Sequence, residues 1–146
     1  MAGSWLITEK NEALGSRERA EAALGVARAL QAQGHAEDAE QHLRVLVEQD
    51  APPLVLAAAW NDLADVAIEE GRKSRDAGRI TEALYGYLRG VVLYLPQAGD
   101  PRDEHHRALA GAAQCFEYLS QLATDPREKD LNRRRAADLR RRLEQD

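Results

Sequence analysis

Apolar positions along this chain recur at three- and four-residue intervals, the period of helices that bury one face. Over 36–48 the apolar set is Ala39, Leu43, Leu46 and Val47. Over 81–95 it is Ala83, Leu84, Tyr87, Leu88, Val91 and Val92. Over 101–123 it is Leu109, Ala112, Ala113, Phe116 and Leu119. Nothing alternates as a strand. Val91-Val92-Leu93-Tyr94-Leu95 is the one candidate, and its helical register is the better match.

Breakers divide this pattern into six helices. Ser16 is placed to cap a helix over 17–33 that ends at Gly34. A second covers 36–48 and stops before Asp50-Ala51-Pro52-Pro53. A third, long helix runs from Pro53 towards Ala77, with Gly78 as its stop. Thr81 or Arg79 opens a fourth, to about 95. Asp100 then reads as an N-cap and Pro101 as the first position of a fifth helix, to about 123. Asp125-Pro126 repeats the device, with Glu128 placed to close a capping box, and opens a sixth helix that runs nearly to the end. Short connections make neighbours antiparallel. The expectation is an all-α fold of three hairpins, about 17–48, 53–95 and 101–145, within a domain 16–146 behind a tail 1–15. Trp5-Leu6-Ile7 in the tail either folds back onto the first helices or serves as an anchor for a partner.

Composition narrows the class. The 146 residues suit one domain. They are 44% apolar but only 5% aromatic, with Ala and Leu dominant, which favours helix. A net charge of −5 argues against a general nucleic-acid binder. One cysteine, Cys115, rules out an intrachain disulfide and a cysteine-based zinc site. No apolar run reaches the roughly 18 residues of a membrane span. The N-terminal apolar stretch of three residues is too short for a secretory signal, so a cytoplasmic setting is expected.

Candidate chemistry is sparse. His105 and His106 are adjacent on a helix, about 100° apart, and cannot chelate together. Asp103 and His106 supply at most two ligands, and His35 and His42 stand alone. Cys115 has no histidine at a local spacing and reads as a small core residue. Glu69 and Glu70 beside Arg72, Lys73 and Arg75 read as surface ion pairs. There is no glycine-rich phosphate loop and no serine elbow. No enzyme activity, metal or cofactor is expected. Residues 127–146 hold eight cations against five carboxylates, a net +3 that leaves −8 on the rest. The arginines either form a solvated cap or contact an anionic partner (acidic protein, RNA or lipid headgroups) through Arg133, Arg134, Arg140 and Arg141.

The hairpins resemble tetratricopeptide repeats. Gly34, Ala39 and Leu43 stand where that repeat has its turn, its close-contact alanine and its next packing position, and Ala27 takes the small first-helix position. Trp60-Asn61-Asp62-Leu63-Ala64-Asp65-Val66-Ala67 is similar to the family's first-helix signature, with Ala67 in place of the aromatic. Gly78, Ala83, Tyr87 and Gly90 resemble its turn and second helix. The 23 residues from Trp60 to Ala83 exceed the family spacing by about two helical turns. The extension, 71–76, is expected to overhang the repeat. Ala108-Leu109-Ala110-Gly111 fits a third first helix, and the arginine-rich sixth helix resembles a polar cap.

The resemblance implies a short right-handed superhelix, non-catalytic, whose first helices line a groove for a peptide or partner helix. Carried over position by position, the groove residues are Leu24, Arg28 and Gln31; Asn61, Asp65, Ile68 and Glu69; and Glu104, Arg107, Gly111 and Gln114. The family's carboxylate clamp is not expected, because Asp65 and Glu69 stand where it needs amide or cation. A mixed-charge groove favouring a basic or amphipathic protein segment fits better, and self-association stays open. Tyr87-x-x-x-Val91 with Tyr94-Leu95-Pro96 also resembles repeats of bacterial envelope proteins, which would imply a periplasmic assembly factor.

Overall fold

The computed structural model describes residues 15–145, so Trp5-Leu6-Ile7 lies outside the described residues. Six helices follow one another, and no strand occurs among the described residues. They are α1 (Ser16–Ala32), α2 (Ala36–Val47), α3 (Pro53–Ser74), α4 (Ala77–Leu93), α5 (Asp103–Leu122) and α6 (Pro126–Gln145). Each packs on its neighbours in sequence, and α3 also packs on α1 and on α5.

Local chemistry sets the boundaries, and four depart from expectation. Ser16 is the first helical residue rather than a cap, and no side chain caps α1. α3 ends at Ser74 rather than at Gly78, because Arg75 adopts the left-handed conformation, φ 54°, and closes the helix. Asp76 then caps α4, accepting from the Gly78 and Arg79 amides at 3.0 and 3.2 Å, so the helix opens at Ala77 rather than at Arg79 or Thr81. Gly78 is thereby drawn into α4. Asp100 is spent within the loop, where its carboxylate accepts from the Gln97 amide at 2.9 Å, and α5 starts at Asp103. Gly34 does make the first turn, at φ +86°. Asp125 accepts from the Arg127 amide at the start of α6, 3.0 Å away.

The stretch 71–76 does not overhang as a whole. Gly71 is buried against Ile80, and a Cβ there would come within 2.7 Å of the Ile80 side chain. The longer α3 is therefore paired with α4 as far as Gly71, and of this stretch 72–76 is exposed.

Two apolar clusters make the core. The first joins Ala20, Leu24 and Ala27 of α1, Leu43 and Leu46 of α2, and Val55, Ala58 and Leu63 of α3. The second joins Ala64, Ala67 and Ile68 of α3, Ile80, Leu84 and Tyr87 of α4, and Ala112 and Cys115 of α5. α3 belongs to both, which is why its buried residues fall on most of its circumference. Tyr87 fills the gap between α3 and α5 because Gly111 leaves room for it. A Cβ on Gly111 would stand 2.5 Å from the ring's Cε1. Outside the clusters, Arg79 is bound by Glu40, Glu70 and Glu82 at 2.8–3.0 Å, with its side chain 17% exposed, and so ties α2, α3 and α4 together. α6 closes the array through buried Ala136 and half-buried Leu139 and Leu143, leaving its arginines outward.

Candidate functional site

A groove of about 730 Å³ opens between α1, α3 and α5, floored by Ala36 and Leu43 of α2. Its walls are built from residues that succeed one another at helical spacing. Arg28 and Gln31 come from α1, Asp62, Asp65 and Glu69 from α3, and Arg107 from α5.

Arg107 is the hub of its charges. One guanidinium nitrogen donates to Asp62 at 2.6 Å and to Asp65 at 2.5 Å, and another reaches Glu104 at 3.2 Å. Arg28 approaches from α1, donating to Asp62 at 2.8 Å through Nε and at 3.3 Å through Nη2. It also lies 3.7 Å from Glu104. The Tyr87 hydroxyl donates to Asp65 in a short hydrogen bond. Two cations and three carboxylates thus connect the first helix of each hairpin.

Electrostatics follow from this closeness. Burial works against the charge of Arg107, but the hydrogen bonds and charges of Asp65 and Asp62 outweigh it, so its pKa lies above the ordinary arginine value. The hydrogen bond to Asp62 raises that of Arg28. Burial, then the negative charge of Asp65, pushes the Tyr87 hydroxyl up. Burial, with Asp65 adding to it, lifts the Cys115 thiol to about 12. Neither group forms an anion near neutral pH, and Cys115 is fully buried.

Of the groove positions read from sequence, Arg28, Gln31, Asp65, Glu69 and Arg107 line this cavity. Glu104 stands behind it, held by Arg107. Leu24 and Ile68 lie in the core at 8% exposure instead. Asn61 is fully buried and its amide donates to the backbone carbonyl and the carboxylate of Glu104, at 3.0 and 2.9 Å. Gln114 is exposed outside the cavity lining and donates to the Tyr118 hydroxyl at 3.2 Å. Gly111 is spent on making room for Tyr87. The groove face of α3 is turned by about one residue from the alignment, so Asp62, Val66 and Lys73 line it. Asp62 is the significant omission. Its spacing with Asp65 and Glu69, three and seven residues on, is the signal that could have found it.

Two further regions of the described surface bear on function. Arg133, Arg134, Arg140 and Arg141 are all exposed on α6; Arg134 pairs with Asp130, Arg140 with Glu117 and Arg141 with Asp138. A second groove, of about 670 Å³ and mostly apolar, lies on another side of α3 between α2 and α4. Among the described residues no group of His, Cys, Asp and Glu is arranged to hold a metal ion, and no helix is long and apolar enough to cross a membrane.

No family model matches the chain, and neither a curated protein nor a solved structure matches it.

Proposed function

We propose that this chain is a non-catalytic interaction module of tetratricopeptide type, whose α1/α3/α5 groove holds a segment of another protein. The packing order supports the comparison with that repeat. Successive first helices touch, and each second helix packs on the next first helix, α2 on α3 and α4 on α5. The observation that carries the binding role is the groove itself, a concavity of about 730 Å³ lined by Asp62, Asp65, Glu69 and Glu70 against Arg28, Lys73 and Arg107. Carboxylates outnumber cations there, which favours a segment bearing lysine or arginine. A cytoplasmic setting remains part of this reading.

Capture from cell lysate tests it, with the wild type and Glu69→Lys side by side. Glu69 is half-exposed and, among the described residues, pairs with Arg72 and Lys73 on its own helix, so the change reverses groove charge without touching the hub. Partners retained by the wild type and lost by Glu69→Lys support the groove. Identical partners from both contradict it. A second reading, contact with an anionic partner through α6, is favoured by the exposure of its arginines. Salt-sensitive retention on heparin, abolished by Arg133→Glu with Arg134→Glu, would support that reading.

A further inference from the structure

The apolar groove between α2, α3 and α4 plays no part in the proposed function. Val47, Leu56, Trp60, Leu88 and Val92 line it, and the Arg89 guanidinium lies over the Trp60 ring, 4.6 Å from its centre. Its α4 wall stands open to an unusual degree: Tyr85 is 61% exposed, Val92 77% and Leu93 40%. A contiguous apolar face of this kind marks a contact surface.

The chain itself supplies an apolar segment within reach. Trp5-Leu6-Ile7 lies in the residues 1–14 that precede the described part. The start of α1 and the end of α2 lie at one end of the first hairpin. Ala20 and Leu46 share a cluster there, with Val47 packed against it. Val47 is also the α2 wall of the groove. The chain from Ile7 to Gly15 can extend to about 26 Å, whereas packed helix axes are only about 10 Å apart. Glu9, just after the apolar triplet, matches Arg89 on the groove in charge.

We propose that Trp5-Leu6-Ile7 docks in this groove of its own chain and covers the exposed face of α4. The tether gives the segment an effective concentration of order mM. An outside apolar segment therefore gains the groove only by displacing it.

The two tryptophans of the chain, Trp5 and Trp60, make the test direct. In full-length Trp60→Phe, Trp5 is the only indole. Its emission is expected to be blue-shifted and shielded from acrylamide. Adding Val92→Asp, at a position open enough to leave the fold unchanged by circular dichroism, lowers the docked-to-free ratio by roughly tenfold. Emission then shifts red and quenching rises. Conversely, in full-length Trp5→Ser/Leu6→Ser/Ile7→Ser, Trp60 is the only indole, and its quenching rises as the groove loses its cover. Three results would overturn the proposal. Trp5 open to water in Trp60→Phe means that nothing docks. Trp5 shielded but unmoved by Val92→Asp means a different seat. Shielding that disappears on dilution, with a dimer mass at high concentration, means that a second copy fills the groove.

Discussion

The two grooves have similar volumes, about 730 and 670 Å³, and opposite chemistry. In the α1/α3/α5 groove the charges are already partnered. Arg28 and Arg107 are held by Asp62, Asp65 and Glu104, and this lattice crosses from the first hairpin to the third. Its charges are therefore architecture as well as surface. In the α2/α4 groove nothing of that kind links the walls among the described residues. Val92 and Tyr85 stand open, and the one charged side chain lining it among the described residues, Arg89, lies on Trp60. A partner entering the first groove meets a preformed pattern, held by the fold. A segment entering the second gains affinity from covering apolar surface and little from direction.

Substitutions that break this contrast should rank in a definite order. Arg107→Leu is the most damaging, because it removes the cation that Asp62, Asp65 and Glu104 share, leaving Asp65 with the Tyr87 hydroxyl and Asp62 with Arg28. We expect a loss of about 3 kcal/mol in urea unfolding. Arg79→Leu should come next at about 2 kcal/mol, since it unties Glu40, Glu70 and Glu82 at the junction of α2, α3 and α4. That junction also sets a pH dependence. The hydrogen bond from Arg79 holds the Glu82 carboxyl below its ordinary 4.5, overcoming partial burial. Burial alone would raise Glu40, but Arg44 and Arg79 bring it below that value too. A depressed carboxyl contributes stability above its unfolded value and loses it as pH falls through its folded one. Melting temperature should therefore drop on acidification below pH 4.5 in the wild type, and less steeply in Arg79→Leu.

Smaller effects sharpen the same comparison. Tyr87→Phe removes one donor to Asp65 while Arg107 remains, for a loss of about 1 kcal/mol by the same urea assay. Glu69→Lys should stay within about 0.5 kcal/mol of wild type in stability, because its side chain is half-exposed, and Val92→Asp should lose no more than its roughly tenfold loss of docking, about 1.4 kcal/mol. An effect as large as that of Arg107→Leu at either position would erase the distinction between built and open surface.

Most of the helical layout is legible in the chain, because breakers and apolar spacing agree on it. Gly34, Pro52-Pro53 and Asp125-Pro126 punctuate where the structure turns. Differences arise where two residues compete for one role. Arg75 rather than Gly78 ends α3, since Asp76 is placed to cap α4. Asp100 looks like a helix cap but satisfies the Gln97 amide instead. The groove is only partly legible for a different reason. α3 packs against α1, α2, α4 and α5, so Val55, Asn61, Leu63, Val66 and Ile68 are all buried and no single polar face announces itself. Alignment to the repeat then places Asn61 and Ile68 towards the groove and passes over Asp62. The cross-hairpin contacts of Arg107 are beyond reach from periodicity, which says nothing about partners 42 or 45 residues away.

The most direct test is an amide chemical-shift map of the full-length, isotope-labelled chain. The ligand would be a lysine- or arginine-bearing peptide selected on the wild type from a displayed library. The account predicts saturable shifts at Arg28, Gln31, Asp65, Glu69 and Arg107, with affinity reduced by roughly tenfold in Glu69→Lys and unchanged in Val92→Asp. Shifts confined to Tyr85, Leu88 and Val92, or to the arginines of α6, with no response to Glu69→Lys, would contradict it.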